Sequence, residues 1–283
     1  MKILITGAEG QLGKQLVITF KTAGYEVIPF AKSQLDITNQ QQVIEHLQTT
    51  FPHIVINAAA FTNVDQCEKE VEKAFLVNGL GPSYLATEAS KINASFFQIS
   101  TDYVFNGDKS SPYKEEDVAD AKSVYGKSKR LGEKLSLLMN KRSSIIRTSW
   151  LFGQRGENFV KKILDLSEGE NELKIVYDQI GSPTYTKDLA QAILKLIDKP
   201  FDIYHITNLG SCSKYEFAKE IIIQTQRQNI VTPITTEVLG IKTPRPGYSV
   251  LSNEKLYKTG IKMRHWKEAL KEYLEEELNI SND

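Results

Sequence analysis

The chain has 283 residues, 41% of them hydrophobic and 25% charged, an ordinary composition for a globular protein with one large domain or a domain plus a smaller lobe. Its 35 basic and 35 acidic residues give a formal net charge of zero, so the charge balance does not indicate nucleic acid or an anionic membrane as a partner. Two widely separated cysteines with no histidine cluster nearby argue against a disulfide framework or a zinc site. No apolar run approaches membrane-spanning length and no charged leader precedes the first strand, so we expect a cytoplasmic protein.

Apolar runs alternate with helical periodicities through the first half of the chain. This βαβα alternation predicts an α/β fold with a doubly wound parallel sheet of the Rossmann type and helices on both faces. Ligands of such sheets bind beyond the carboxyl ends of the strands, so the polar residues after each strand are candidate site residues. The predicted strands are 2–6, 26–30, 54–57, 95–100 and 144–148, and the predicted helices are 11–23, 40–49, 67–91 and 124–140.

The pattern loosens after about Trp150. We predict an NAD(P)-binding Rossmann domain at 1–150 and, at 151–283, mainly a smaller substrate-binding lobe interleaved with the last sheet strands. This half has predicted helices at 158–167, 188–198, 213–228 and 265–278, short strands at 173–176 and 203–206, and a rigid loop at 243–247.

A glycine-rich turn joins the first strand to the first helix. It reads GAEGQLG at 7–13, which spaces the glycines as Gly-x-x-Gly-x-x-Gly rather than in the commoner Gly-x-Gly-x-x-Gly. Glycines let the backbone approach a pyrophosphate, and a helix N-terminus offers free N–H groups. The context favours a dinucleotide site over an ordinary tight turn.

A tyrosine and a lysine four residues apart, Tyr125 and Lys129, lie in a predicted helix and therefore share one face. The ammonium favours the phenolate, so we expect a Tyr125 pKa below its ordinary value of about 10, as a general acid–base requires. A solvated surface pair is the alternative. Thr101, after the fourth strand, is placed to hydrogen-bond a substrate oxygen or Tyr125, which makes a hydroxyl, phenol and ammonium set.

Two further strand ends bear on the cofactor. Lys32 and Ser33 follow the second strand where an acidic residue would favour NAD, so the sequence favours NADPH slightly over NADH. Asp36 either brackets the adenine or caps the next helix. The three alanines in the run 57–62 suit close approach of a ring or ribose, or else pack a helix.

Several runs are together specific for one family. NAAAFTNVD at 57–65, STDYVF at 100–105, RTSW at 147–150, DQIGSPT at 178–184 and RPGYSVL at 245–251 resemble the dTDP-4-dehydrorhamnose reductase family of the extended short-chain dehydrogenase/reductase superfamily. The resemblance runs from the first strand to the last helix. It implies reduction of the C4 keto group of dTDP-4-dehydrorhamnose by NADPH or NADH, giving dTDP-L-rhamnose for surface polysaccharides.

The resemblance also implies roles for residues. Tyr125 would give its proton to the C4 oxygen, Lys129 would bind the nicotinamide ribose and lower the Tyr125 pKa, and Thr101 would tune Tyr125. The implied cofactor contacts are Tyr125, Lys129, Gly7, Gly10, Gln11, Leu12, Gly13, Lys32, Asp36, Ile37, Ala58, Ala59, Ala60, Phe61, Thr62 and Ile99. The implied substrate contacts are Tyr125, Thr62, Val64, Thr101, Asp102, Tyr103, Trp150, Asn158, Pro183, Thr184 and Arg245, with Arg245 or Arg147 as a diphosphate clamp.

One position departs from the family pattern, and two other functions compete. Some members form a magnesium-dependent dimer through a first-helix glutamate, where this chain has Gln15; we therefore predict no metal and leave monomer and homodimer open. Another sugar-nucleotide enzyme is one alternative, although Asp102 and Tyr103 after Thr101, with no glutamate beside it, disfavour a dehydratase. A non-catalytic NADP-binding regulatory subunit is the other. We expect a small-molecule dTDP-sugar partner and no nucleic acid or membrane.

Overall fold

The computed structural model describes residues 1–154, 156–169, 171–240 and 242–277. Its strands, in chain order, are β1 (Lys2–Thr6), β2 (Glu26–Phe30), β3 (Ile54–Asn57), β4 (Ser95–Thr101), β5 (Ser143–Thr148), β6 (Leu151–Phe152), β7 (Glu172–Val176), β8 (Ile180–Gly181), β9 (Thr184–Tyr185), β10 (Ile203–His205), β11 (Cys212–Ser213) and β12 (Ile230–Ile234). Its α-helices are α1 (Gln11–Thr22), α2 (Gln40–Thr50), α3 (Val64–Lys69), α4 (Val71–Phe75), α5 (Gly81–Lys91), α6 (Val124–Met139), α7 (Phe159–Gly169), α8 (Thr186–Leu196), α9 (Lys214–Gln224), α10 (Glu254–Lys258) and α11 (Trp266–Glu272).

The central sheet is parallel throughout, with the strand order β10-β5-β4-β3-β1-β2. Because side chains alternate along a strand, Ile3 and Ile5 of β1 join the core beneath α1 and α8, whereas Leu4 joins the core beneath α2 and α5. Apolar cover on both faces is what a parallel sheet requires. The predicted Rossmann-type fold is confirmed, and the strand at its edge, β10, comes from the second half of the chain.

The single helix predicted over 67–91 is wrong. The chain forms α3 and α4, then a π-helical turn over Leu76–Leu80, and only then α5. Pro82 lies in the first turn of α5, directly after the π-helical turn, and has no N–H to donate to that turn. The extra residue of the π-helical turn aims Asn78 toward the site described below.

The remaining elements form a lobe around a second core. Three two-stranded pairs, β6–β9, β7–β12 and β8–β11, carry α7, α9 and α11 against one aromatic cluster. Sequence periodicity did not predict most of these strands, because strands of two residues are too short to have one. The predicted closing helix over 265–278 is α11 followed by a π-helical turn over Tyr273–Glu277, and residue 278 lies outside the described residues. Within the described ranges, the helices are all too short or too polar to span a bilayer.

Candidate active site

The glycine turn between β1 and α1 forms a close-packed cradle. Gly7 has a φ of +64°, and the N–H of Gly10 donates to the Gly7 carbonyl oxygen at 2.9 Å. A Cβ at Gly13 would lie 2.0 Å from that same oxygen, so only glycine fits there. Gly10, the residue before α1, has no side chain to cap the helix, which leaves N–H groups of the first turn directed at the cavity. This turn has the shape and polarity that a dinucleotide pyrophosphate requires.

Helix α6 presents Tyr125 and Lys129 at its start. Ser123 caps the helix by accepting a hydrogen bond from the N–H of Gly126, which fixes the first turn. Lys129 is buried and its Nζ donates to the carbonyl oxygen of Ile99 in β4 at 2.6 Å. Burial lowers the pKa of Lys129 to about 8, against the opposing charge of Glu133.

The predicted effect of Lys129 on Tyr125 is wrong for the polypeptide. Burial raises the Tyr125 pKa above its ordinary value, a hydrogen bond with Thr101 opposes this, and the charge of Asp102 adds to it. The ammonium of Lys129 is directed at a backbone carbonyl instead, so the helical spacing alone does not make a phenolate. The protein alone therefore holds Tyr125 as a neutral phenol, the protonated form that a proton donor needs.

The end of β4 places Thr101 and Asp102 beside this phenol. The Thr101 hydroxyl donates to Asp102 Oδ1 at 3.0 Å and accepts from the N–H of Tyr103 at 3.2 Å. Asp102 is buried, and within the described chain its Oδ2 has no hydrogen-bond partner of good geometry. Burial raises the Asp102 pKa to about 6. The ring of Tyr103 stands edge-on to Tyr125, with centroids 5.5 Å apart.

Two cavities that share walls lie at the carboxyl ends of the strands. The larger, about 490 Å³, contains the following predicted residues: Gly10, Gln11, Leu12, Gly13, Ala58, Ala60, Thr62, Val64, Ile99, Thr101, Asp102, Tyr103, Tyr125, Lys129 and Trp150. The smaller, about 260 Å³, is lined by Gly7, Gly10, Lys32, Asp36, Ile37, Ala58, Ala59, Ala60 and Phe61. Every residue predicted to contact the cofactor thus lines one of the two. Asn39, not Asp36, caps α2, so the capping alternative for Asp36 is wrong.

Four predicted substrate residues lie outside both cavity walls. Asn158 accepts from the Lys161 N–H at the start of α7 and donates to the Gly153 carbonyl. Pro183 and Thr184 are buried, Thr184 as the first residue of β9 and Pro183 just before it. Arg245 Nη2 donates to both carboxylate oxygens of Asp65, at 2.9 and 3.0 Å.

Arg245 Nη1 also donates to the Tyr103 hydroxyl at 3.3 Å. Arg245 therefore ties its loop to the segment after β3 and to Tyr103 beside the phenol. The other clamp candidate, Arg147, is buried in the sheet and bound to Glu133.

Asn78 of the π-helical turn clamps the loop after β3. Its side chain accepts from Phe61 N–H at 2.8 Å and donates both to the Phe61 carbonyl and to Ser128 Oγ. Ser128 in turn donates to the Tyr125 carbonyl, so one buried amide connects the cavity loop to α6.

A buried ionic network supports the same helix from below. Glu133, two helical turns after Tyr125, accepts hydrogen bonds from Ser100 Oγ at 2.6 Å, from Arg147 Nε at 2.8 Å and from Arg130 Nη1 at 2.7 Å. Burial raises the Glu133 pKa, but these contacts outweigh it and hold the pKa below its usual value.

Sequence reasoning missed several cavity residues. Thr148 ends β5, and Ser149 and Leu151 lie just beyond it; the rule that polar residues at the ends of strands are candidates could have identified Thr148 and Ser149. Gly156 and Glu157, which also line the cavity, stand in a segment with no strand-end or helical signal. Lys214, which lies behind Trp150, falls in the helix predicted over 213–228, but helical periodicity does not indicate which ring it contacts.

The fold is a parallel sheet with a glycine turn after its first strand, and a hydroxyl, a phenol and an ammonium meet at one cavity. This combination defines a nicotinamide-dependent reductase of the short-chain class. A family model described as the RmlD substrate binding domain matches residues 1–279. The chain therefore belongs to this family, that of the dTDP-4-dehydrorhamnose reductases.

Curated relatives agree over nearly the whole chain. The spore coat polysaccharide biosynthesis protein SpsK of Bacillus subtilis is 54% identical, with 97% of each chain covered. A dTDP-4-dehydrorhamnose reductase of Aggregatibacter actinomycetemcomitans is 42% identical over 95% of this chain and 97% of its own.

A solved structure agrees as well. The dTDP-4-dehydrorhamnose reductase of Bacillus anthracis, in complex with NADP, superposes with a TM-score of 0.94 at 41% identity, covering 96% of this chain and 98% of that one. The predicted family, the predicted dTDP-sugar reductase and the expectation of NADPH or NADH as cofactor are thereby confirmed.

Proposed function

We propose that this chain reduces the C4 keto group of dTDP-4-dehydro-6-deoxy-L-mannose to give dTDP-L-rhamnose, with Tyr125 as the proton donor. The observation that carries the proposal is the meeting of Thr101, Tyr125 and Lys129 at one cavity beside the glycine turn. When bound, the nicotinamide cofactor supplies the hydride.

The cofactor residues are proposed from the cavity walls. The turn at Gly7, Gly10 and Gly13 takes the pyrophosphate, because its N–H groups and close backbone approach suit phosphate oxygens. Asp36 and Ile37 lie at the adenine end in the smaller cavity.

Tyr125 holds the proton that the carbonyl oxygen receives. Reduction builds negative charge on that oxygen, and a neutral phenol beside the Thr101 hydroxyl supplies both a proton and a hydrogen bond there. The buried ammonium of Lys129, which stands at the same cavity and donates to the Ile99 carbonyl rather than to the phenol, is assigned to the nicotinamide ribose.

The substrate side of the cavity is assigned to Asp102, Tyr103 and Trp150. The free oxygen of Asp102 is a buried acceptor for a sugar hydroxyl, and the indole is a flat apolar wall. We assign the lobe at 151–283 to substrate binding, apart from β10 and α8, which join the sheet.

Lys32 supports a preference for NADPH over NADH. It is exposed on the wall of the smaller cavity just after β2, where its charge suits a 2′-phosphate. The anthracis relative was solved with NADP. A cytoplasmic location stays a prediction, supported by two free, buried cysteines, and monomer and homodimer stay alternatives.

The test is a reductase assay with matched tyrosine variants. The substrate is made from dTDP-4-keto-6-deoxyglucose by a 3,5-epimerase, and loss of reduced-nicotinamide absorbance is followed with NADPH and with NADH. We expect epimerase-dependent turnover, faster with NADPH. Tyr125→Phe should lower kcat by about 10²–10⁴-fold without weakening cofactor binding.

The control is Tyr177→Phe, on a half-exposed tyrosine that lines neither cavity, and it should match the parent. No turnover with either cofactor, despite dinucleotide binding, would overturn the proposal and favour a regulatory subunit. Tight NAD retention with interconversion of sugar epimers would favour an epimerase.

A further inference from the structure

The indole of Trp150 forms part of the larger cavity and is held in an unfavourable backbone conformation. Its φ is +45°, a region that bulky side chains rarely adopt. A Cβ at Gly181 would lie 2.5 Å from the indole, so the ring packs directly on the backbone of β8. A residue in such a conformation depends on its surroundings, and its neighbours therefore determine where the indole stands.

A lysine of the lobe covers the same ring. Lys214 Nζ lies 3.4 Å from the centroid of Trp150 and 4.6 Å from the centroid of Phe159. Within the described part of the chain this ammonium has no salt-bridge or hydrogen-bond partner, so the two aromatic faces are its direct contacts. Both distances lie within the range of a cation–π interaction.

The backbone around Lys214 is rigid. Ser213 and Glu216 form a reciprocal capping box at the start of α9, and the N–H of Lys214 donates to the Gln179 carbonyl. Pairing of β11 with β8 sets Cys212 opposite Gly181, the residue beneath the indole. The lysine stem and the indole are thus positioned from neighbouring strands.

A lysine here is unfavourable for local stability. Its positive charge stands in the first turn of α9, where the helix dipole disfavours cations, and it is largely removed from water. A residue that is unfavourable both for the helix dipole and for burial often has a functional role, which here points to the neighbouring cavity.

We propose that Lys214 is a positioning residue of the reductase: its ammonium holds the Trp150 indole in place as the wall against which the dTDP-sugar lies. The inference rests on the proposed function. Trp150 lines the cavity whereas Lys214 does not, so Lys214 acts through the ring and not by touching the reacting atoms.

The charge that holds the ring is sensitive to pH. Burial lowers the pKa of Lys214 to about 7, the carboxylate of Asp102 opposes this, and the guanidinium of Arg245 adds to it. The nearby thiol of Cys212, whose pKa burial raises to about 12, stays neutral throughout. The ammonium is therefore lost as the pH rises through about 7, and the cation–π contact is lost with it.

Tryptophan fluorescence tests this contact without any turnover. The chain has two tryptophans, so Trp266→Phe leaves Trp150 as the only reporter. We expect its emission to change reversibly with a midpoint near pH 7. Adding Lys214→Met should abolish that transition, and Lys214→Arg should keep the acid-form emission at all pH values. Asp102, whose own pKa is about 6, could also change the emission as it titrates, and Asp102→Asn removes that contribution so that the transition of Lys214 can be followed by itself.

Kinetics test the positioning role in the enzyme with both tryptophans. At pH 6.5 we expect Lys214→Met to raise the KM for the dTDP-sugar about tenfold, with kcat and the KM for NADPH within about twofold of the parent. The parent KM should rise above about pH 7, whereas that of Lys214→Arg should not. Lys219→Met, on an exposed face of the same helix, is the control and should behave as the parent.

A transition near pH 7 that persists in Lys214→Met, or an unchanged KM in that variant, would overturn the proposal. Failure of the parent to turn over would instead count against the proposed function, because the fluorescence titration needs no activity.

Discussion

The two sides of the larger cavity are held in place by different kinds of contact. Thr101, Tyr125 and Lys129 form what we call the sheet wall and stand on β4 and α6. Thr101 and Lys129 hydrogen-bond to backbone atoms, and Ser100 beside them ties β4 to the buried ionic network at Glu133. What we call the lobe wall is Trp150, which lines the cavity, together with Lys214 and Arg245, which stand outside the lining and support it. These residues are held by cation–π contacts or ion pairs between segments distant in sequence.

The difference indicates a division of labour. Regular elements preorganise the proton-donating groups of the sheet wall, which must be aligned with the reacting oxygen. In the proposed function the lobe wall takes the rest of the dTDP-sugar, where small shifts alter affinity before they alter chemistry. We therefore expect changes beneath the sheet wall to act on stability or kcat, and changes in the lobe wall to act on KM.

The largest effect is expected beneath the sheet wall, at Glu133. Glu133→Gln removes the charge that balances buried Arg147 and replaces an acceptor by a donor. Leaving an ion unpaired in the interior costs about 3–5 kcal/mol, so the free energy of unfolding in urea should fall by that amount.

Glu72→Gln, on an exposed carboxylate, should change the unfolding free energy by less than about 0.5 kcal/mol. If Glu133→Gln were as stable as that control, the sheet wall would not depend on the ionic network.

A pH-dependent effect of intermediate size is expected at His205 in β10. Its Nδ1 lies 3.1 Å from the Tyr113 carbonyl and its Nε2 lies 3.3 Å from Arg147 Nη1, a pattern that the neutral ring with its proton on Nδ1 satisfies. Burial, with the charge of Arg147, lowers the pKa of His205 to about 3.

The unfolded state therefore binds more protons between about pH 6.5 and pH 3, and stability falls as the pH falls through that window, by about 1.4 kcal/mol per unit. At pH 5 the loss from this residue is about 2 kcal/mol. His205→Gln should flatten the dependence, as measured by urea unfolding at pH 7, 6 and 5. Parallel curves for parent and variant would show that His205 is not the cause.

The smallest effect is expected in the lobe wall, at Arg245. Two different guanidinium nitrogens of Arg245 hold Asp65 and the Tyr103 hydroxyl, and the single ammonium of lysine cannot reproduce both, so Arg245→Lys should raise the KM for the dTDP-sugar by about three- to tenfold at constant kcat.

Because Asp65 is well exposed, stability should change by less than about 1 kcal/mol. Asp65→Asn should move KM in the same direction, and exposed Asp198→Asn should not. If Arg245→Lys lowered kcat without changing KM, the expectation that the lobe wall acts on KM and the sheet wall on kcat would be wrong.

The sheet wall could be predicted from the sequence because local rules generate it. A strand followed by the glycine turn at 7–13 has one favourable geometry, and the spacing of Tyr125 and Lys129 places them on one helical face. The direction of the Tyr125 pKa could not be predicted, because it depends on burial and on the Ile99 carbonyl that takes up the Lys129 ammonium.

The lobe wall was only partly predictable, for the same physical reason. Trp150 and Arg245 were identified through family motifs, but the pairing of Arg245 with Asp65 joins residues 180 positions apart. Neither that pairing nor the position of Lys214 behind the indole has a local periodicity. Asn158, Pro183 and Thr184 carry family motifs as well, yet the structure places them outside the cavity walls.

The position of β10 has a consequence for biosynthesis. It closes the sheet beside β5, although more than fifty residues of lobe separate the two strands in the chain. A nascent chain released only as far as β5 therefore presents that strand as an open, apolar edge of the sheet. The Arg147 side chain on that strand does not yet have its contact with His205. The Rossmann half is exposed to wrong pairing until the lobe has been synthesised, so the two halves mature together rather than one after the other.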